Sequence, residues 1–96
     1  MKTFIIGQVR INDPVRYEDY KKLTVATLQP YGGKFIVRGG AREVLDGEWS
    51  DDRIVVLEFP SKEQAKAWFT GEVYATAKAI RESASTGRFI LLEGVE

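Results

Sequence analysis

The chain has neither cysteine nor histidine. Without cysteine there is no disulfide, no thiolate nucleophile and no soft metal site. Without histidine there is no imidazole base, no Ser-His-Asp triad and no ordinary proximal haem ligand. The protic groups left are Asp, Glu, Lys, Tyr and Arg, and none titrates near neutral pH unless burial or a neighbour shifts it. No metal and no cofactor is therefore expected. Charge of one sign is also missing: 14 basic and 14 acidic residues cancel, with no basic run, which removes the electrostatic footprint of a nucleic-acid or membrane-surface binder. No stretch approaches the roughly 20 apolar residues that span a bilayer, and Met1-Lys2-Thr3-Phe4 is too short an apolar start for a signal peptide. These absences predict a soluble, cytoplasmic chain, and 96 residues hold one domain, 1–96, with one core.

What is present alternates between strand and helix patterns. Thr3 to Ile11 places apolar residues on both parities, as a strand with two covered faces does. Asp13-Pro14 reads as an N-cap and a first-turn proline, and Tyr17, Tyr20, Thr24, Thr27 and Leu28 recur at helical spacing, so a helix runs from about Pro14 towards Gln29 and stops before Pro30. Tyr31-Gly32-Gly33 makes a turn and Lys34 to Arg38 a second strand. Gly39-Gly40 suggests a bulge before Arg42 to Leu45 continues extended, and Asp46-Gly47 opens the connection to Arg53 to Phe59, the third strand. Ser61-Lys62-Glu63-Gln64 is a capping box. Ala65, Trp68 and Phe69 form the apolar stripe of the helix it opens, Gly71 interrupts it, and Val73, Ala77, Ile80 and Ala84 resume it. Gly87 then leads into a last strand, Arg88 to Glu93.

Two strand-helix-strand units joined by a hairpin fold most simply into an α+β, ferredoxin-like βαββαβ sandwich, an antiparallel sheet with both helices on one face. The other face poses a problem. Phe4, Ile6, Ile54, Val56, Phe89 and Leu91 share one parity and Ile5, Val9, Val55, Leu57, Ile90 and Leu92 the other, so both faces are apolar. Leaving six such side chains wet would forgo on the order of 1.5 to 3 kcal/mol each. A second copy of the chain is the economical cover, which makes a homodimer the expected assembly.

Parity also sorts the polar residues. The set with Ile5, Val9, Val55, Leu57, Phe59, Phe35 and Val37 is free of charge within the strands, whereas the opposite set interleaves Gln8, Arg10, Arg38, Glu58 and Glu93. Charges on an apolar face need partners. Arg38 and Glu58 lie on strands joined by the hairpin and can pair, as a structural ion pair or for ligand contact, or else stand as charges at the sheet's rim in solvent. Trp49, outside any regular element, covers either the core edge or a cavity mouth. Tyr20, Tyr74 and Arg81 fall at helical positions suited to packing or solvent, with Tyr20 able to reach a cavity rim. The acidic residues Asp46, Glu48, Asp51 and Asp52 miss calcium-loop spacing and read as a solvated turn.

Tyr31-Gly32-Gly33, Phe35-Ile36-Val37-Arg38-Gly39-Gly40, Gly47-Glu48-Trp49, Arg53 to Ser61, Ala67-Trp68-Phe69, Glu72-Val73-Tyr74, Arg81 and Glu93-Gly94 together resemble the family called domain of unknown function 1330, nearly end to end. The resemblance implies membership of the dimeric α/β-barrel superfamily, with two sheets facing each other around a cavity. That superfamily includes cofactor-free monooxygenases, haem-degrading enzymes and small isomerases, so the fold alone leaves the reaction open. Two functional readings follow, beside that of a purely structural dimer. In one, a small organic anion or phenol binds between the sheets, met by Arg38, Glu58, Gln8, Trp49 and Tyr20. In the other, the protein is a cofactor-free enzyme, monooxygenase- or isomerase-like, with Glu58 as a base of raised pKa and Arg38 stabilising an anion. A Glu58 pKa above its ordinary value favours the enzyme; one below it marks a paired carboxylate.

Overall fold

Alternating apolar residues draw Thr3–Ile11 into the first strand, β1, with Thr3, Ile5, Gly7 and Val9 buried and the residues between them half-exposed. The computed structural model describes residues 1–95. The Asp13 carboxylate accepts from the Arg16 N–H at 3.1 Å and caps α1 (Pro14–Leu28). This helix buries Tyr17, Tyr20, Thr24, Thr27 and Leu28, the stripe its spacing predicts. A 3-10 turn, Gln29–Tyr31, carries the chain through Pro30 instead of halting before it. Next come β2 (Lys34–Arg38) and β3 (Arg53–Phe59). The Ser61 hydroxyl accepts from the Gln64 N–H at 3.2 Å and starts α2 (Lys62–Thr70). Gly71, extended at φ −87° and ψ 170°, separates α2 from α3 (Glu72–Ala84), and β4 (Ser85–Glu93) follows without a loop.

The strands lie in the order β2-β3-β1-β4, each neighbouring pair antiparallel. This is the α+β, ferredoxin-like arrangement expected from the sequence. The core fills the layer between sheet and helices, where Ile5, Val9, Val55, Leu57 and Phe59 meet Tyr20, Leu28, Trp68, Tyr74 and Ala77. Among the described residues no helix is long and apolar enough to cross a membrane.

Two strands depart from the expected parity. In β4, Phe89 and Leu91 face the helices and Ile90 and Leu92 the outside, because Gly7 pairs with Phe89 and Ile5 with Leu91. Gly7 makes this possible: a Cβ there would meet the Phe89 ring, so the missing side chain is the space the ring occupies. Glu93, opposite Thr3, moves to the inner parity with them and bonds Lys62 at 3.3 Å. In β2 the register slips between Phe35 and Val37, so the irregularity falls at Ile36 and not at Gly39-Gly40. Val37 then faces outward opposite Val56, and Arg38 turns to the helix side opposite Val55.

A third departure lies in residues 39–52, which form a loop and contain no strand at Arg42 to Leu45. Arg42 explains it. Its guanidinium donates to the carbonyls of Ser50 and Asp52, the latter at 2.8 Å, and Trp49 Nε1 donates to the Asp46 carbonyl at 3.2 Å. Side chains thus satisfy backbone acceptors that a sheet neighbour would otherwise have to meet. The third helix also turns its stripe slightly: Tyr74 is buried where Val73 was expected, and Arg81 is buried beside Ala77 and Ala84.

Candidate functional site

On the outer face, each charged group has an answer. Glu58 accepts from Lys2 at 3.3 Å and from Lys34 at 3.4 Å. Burial pushes its carboxyl up, but the two ammonium groups outweigh that and hold it below its ordinary value. This is the behaviour of a paired carboxylate, with lysines in the place expected for Arg38. Gln8 accepts from Arg88 across the β1–β4 pair, and Arg10 bonds Asp52 at 3.3 Å. Apolar residues on the same face are left uncovered: Ile90 is 56% exposed and Leu92 44%, alongside half-exposed Phe4, Ile6, Ile54 and Val56.

The predicted site residues therefore separate. Glu58 and Gln8 lie on the outer face; Arg38 and Tyr20 lie on the helix side; Trp49, 59% exposed, sits in the 39–52 loop, lining a hollow of about 350 Å³ with Arg42, Leu45 and Ile54. Arg38 and Glu58 do not pair. Arg38 instead donates from Nη2 to the Lys21 carbonyl at 2.9 Å and lays its guanidinium over the Phe35 ring, 4.5 Å from the centroid.

Inside the sandwich, polar groups converge that the sequence left dispersed. The hydroxyls of Tyr20 and Tyr74 bond at 2.8 Å, and Arg81 Nε donates to Tyr74 Oη at 3.2 Å. The Trp68 ring stacks on Tyr74 at 4.0 Å, and its Nε1 donates to Thr27 Oγ1 at 3.0 Å. The Arg81 guanidinium also covers the Phe89 ring at 4.3 Å. Only 5% of Arg81 is exposed, yet no carboxylate of the described residues lies within ion-pair distance of it. Its charge rests on a phenol oxygen and an aromatic face. Burial raises the pKa of Tyr20, Tyr74 and Tyr17 above the ordinary 10.0, and the nearby arginine charge only partly offsets this. All three stay neutral hydroxyls at physiological pH.

Beside this cluster is a cavity of about 10 Å³, room for roughly one water, lined by Tyr17, Tyr20, Lys21, Phe35, Arg38, Arg53 and Trp68 among others. Three cations line it and no carboxylate does. Lys21 is answered by Glu18 at 3.2 Å on the surface. Arg53 is answered only in part: its guanidinium stands 5.8 Å from the Tyr17 ring centroid and bears on that residue's hydroxyl, and its Nη2 reaches the Arg38 carbonyl only at 3.4 Å, while its Nε is buried without a hydrogen-bond partner. A buried N–H without an acceptor is a feature folding alone does not favour. Sequence reasoning missed Arg53, Tyr17, Tyr74 and Arg81 as a group. The available signal was Arg81 itself, which falls in register with Tyr74, Ala77 and Ala84 on an otherwise apolar stripe. Among the described residues no cluster of acidic side chains is arranged to hold a metal ion.

Sheet order, helix placement and strand register define the ferredoxin-like α+β class. Within that class, the chain belongs to the family described as Domain of unknown function (DUF1330), whose model matches residues 2–95. No curated protein matches it in sequence. Solved structures share its fold. The RPA0582 protein of unknown function from Rhodopseudomonas palustris is 21% identical, with a TM-score of 0.77 over 99% of this chain and 83% of that one. SnoaB, a cofactor-independent oxygenase from Streptomyces nogalater, is 13% identical, with a TM-score of 0.68 over 99% of this chain and 94% of that one. A dimeric ferredoxin-like protein of unknown function from Jannaschia sp. is 12% identical, with a TM-score of 0.71 over 98% and 100% of the two chains.

Proposed function

We propose that the protein binds a small organic anion, a carboxylate or phenolate, between the sheet and helices of each protomer, and that two protomers pair through their outer sheet faces. The site thus moves from between two sheets, where the sequence suggested it, to the inner side of one. The observation that carries this reading is the cavity lined by Arg38, Arg53 and Lys21 with no carboxylate, in which the Arg53 Nε–H has no acceptor. An anion supplies the missing acceptor and the missing charge together. Neutral Tyr17 and Tyr20 add hydroxyls for a second oxygen, and Trp68 and Phe35 offer flat apolar walls to a ring once the cavity, which holds about one water as it stands, widens. Dimerisation is supported by the uncovered apolar outer face and by the fold shared with a dimeric ferredoxin-like protein.

Binding is favoured over cofactor-free catalysis because Glu58, the base that such a reaction was assigned, faces away from the cavity and is held ionised by two lysines. The test is a thermal-shift comparison of matched pairs, benzoate against benzamide and salicylate against salicylamide. The acids are expected to raise Tm and the amides not, with a gain of about 2.7 kcal/mol at a concentration a hundred times Kd. Equal shifts from acid and amide, or none from either, would remove the anion site.

A further inference from the structure

Arg53 is the one residue that lines both the interior cavity and a second, open hollow of about 330 Å³ formed over Gly39 and Gly40, between the start of β3 and the 39–52 loop. We propose that Arg53 is at once the anion-binding residue of the interior site and its movable closure, and that ligand enters from the Gly39-Gly40 hollow. This rests on the anion-binding reading above and adds to it a route and a moving part.

The two possible entrances differ in how they are shut. At the seam between α1 and β2, Arg38 is fixed at both ends of its guanidinium, bonded to the Lys21 carbonyl at 2.9 Å and laid over Phe35. At the other end, Arg53 reaches the Arg38 carbonyl only at 3.4 Å and leans on Tyr17, and its Nε bonds nothing. Its guanidinium fits only because position 39 has no side chain: a Cβ there would collide with it, and at φ 65° that position favours glycine in any case. Gly40 has open space where a side chain would stand. An outward rotation of Arg53 therefore meets no obstruction from these two residues. It also meets charge of the right sign, because Asp51 and Asp52 line the outer hollow and Asp51 has no ion-pair partner among the described residues. Arg53 thus has two places to satisfy its guanidinium: outside against a carboxylate of the loop, inside against a bound anion. Two such arrangements of one side chain are what a closure requires. The interior cavity has room for about one water with Arg53 as it stands, so a bound carboxylate holds Arg53 part-way out, its guanidinium at the mouth and its Nε–H on the anion.

The experiment uses Trp68 as the reporter. Trp49→Phe leaves Trp68, 1% exposed and on the cavity wall, as the sole tryptophan. In that background, acrylamide quenching is expected to be weak, to rise several-fold in Arg53→Ala, and to stay near the parent's in Arg53→Met, which keeps the length of the plug but has no N–H. Arg38→Ala should raise it less than Arg53→Ala. Leu91→Ala, at the opposite edge of the sheet, controls for general loosening and should also leave quenching low. Benzoate stabilisation is read on the same proteins and should vanish in both Arg53 variants. If Arg53→Ala leaves Trp68 protected, or Leu91→Ala or Arg38→Ala exposes it as much, Arg53 is not the closure. If Arg53→Ala exposes Trp68 but the parent is unmoved by benzoate, the closure stands and the anion reading falls.

Discussion

The two faces of the sheet carry charge in opposite ways. Outside, Glu58 is shared by Lys2 and Lys34, Gln8 is bonded by Arg88, and Arg10 is bonded to Asp52. Inside, no carboxylate of the described residues lies within ion-pair distance of Arg53 or Arg81, and the Arg53 Nε–H has no acceptor among them. What the outer face lacks is cover for Ile90, Leu92 and their neighbours. What the inner face lacks is negative charge. The deficits differ in kind and so do the partners that would meet them: an apolar surface of the same shape for one, a small anion for the other.

Of the two faces, the outer one responds most visibly to a single change. Val56→Asp places a charge among the apolar residues there, at a cost on the order of 3 kcal/mol if a partner covers it. The expected outcome is a monomer or an aggregate, whereas the parent is expected to scatter light as about twice the 10.8 kDa chain. A Val56→Asp protein that keeps the parent's mass would show that this face is not the interface.

The inner face is more sensitive to alkali. Tyr17, Tyr20 and Tyr74 are held protonated in the folded state by burial, with pKa values above the ordinary 10.0. A folded pKa raised above the unfolded one gives stability that is complete below pH 10 and is lost as pH climbs towards the folded values. The slope approaches about 1.4 kcal/mol per pH unit for each tyrosine. Urea midpoints between pH 9 and 11 should fall accordingly, and ionisation followed at 295 nm should coincide with unfolding. Early ionisation of these tyrosines in folded protein would contradict their burial.

The smallest effect belongs to the outer ion pairs. Glu58 has a lowered folded pKa, so its contribution is present above the ordinary 4.5 and is lost as pH falls through the folded value. Glu58→Gln should flatten the acid limb of the stability curve below that pH and leave the benzoate response unchanged. A lost benzoate response would bring Glu58 back to the site.

How much of this was legible depends on whether a residue pattern carries a phase. The stripe of α1 did, because Tyr17, Tyr20, Thr24, Thr27 and Leu28 recur at helical spacing, with charged residues between the first of them. In β4 it did not: Phe89, Ile90, Leu91 and Leu92 are all apolar, and the facing of each is decided by Gly7 on the neighbouring strand. The bulge at Ile36 was equally silent, since an extra isoleucine between Phe35 and Val37 changes no hydrophobic pattern, yet it sends Arg38 to the other face and dissolves the expected pair with Glu58. The interior cluster was half visible. Arg81 reads from the sequence only as suited to packing or solvent, although it falls in register with Ala77 and Ala84; that Tyr74 and Tyr20 receive it follows from the packing of α3 on α1, which no local spacing records.

An Arg53 Nε–H that donates to an anion reports the contact through its own proton. In a ¹⁵N-resolved NMR titration with benzoate, the Arg53 Hε resonance, assigned by its loss in Arg53→Met, is predicted to move downfield and saturate, while Arg88 Hε on the outer face stays in place. If Arg53 Hε remains still, or drifts without saturating in step with Arg88, the inner face holds no anion site and its bare cations must be explained another way.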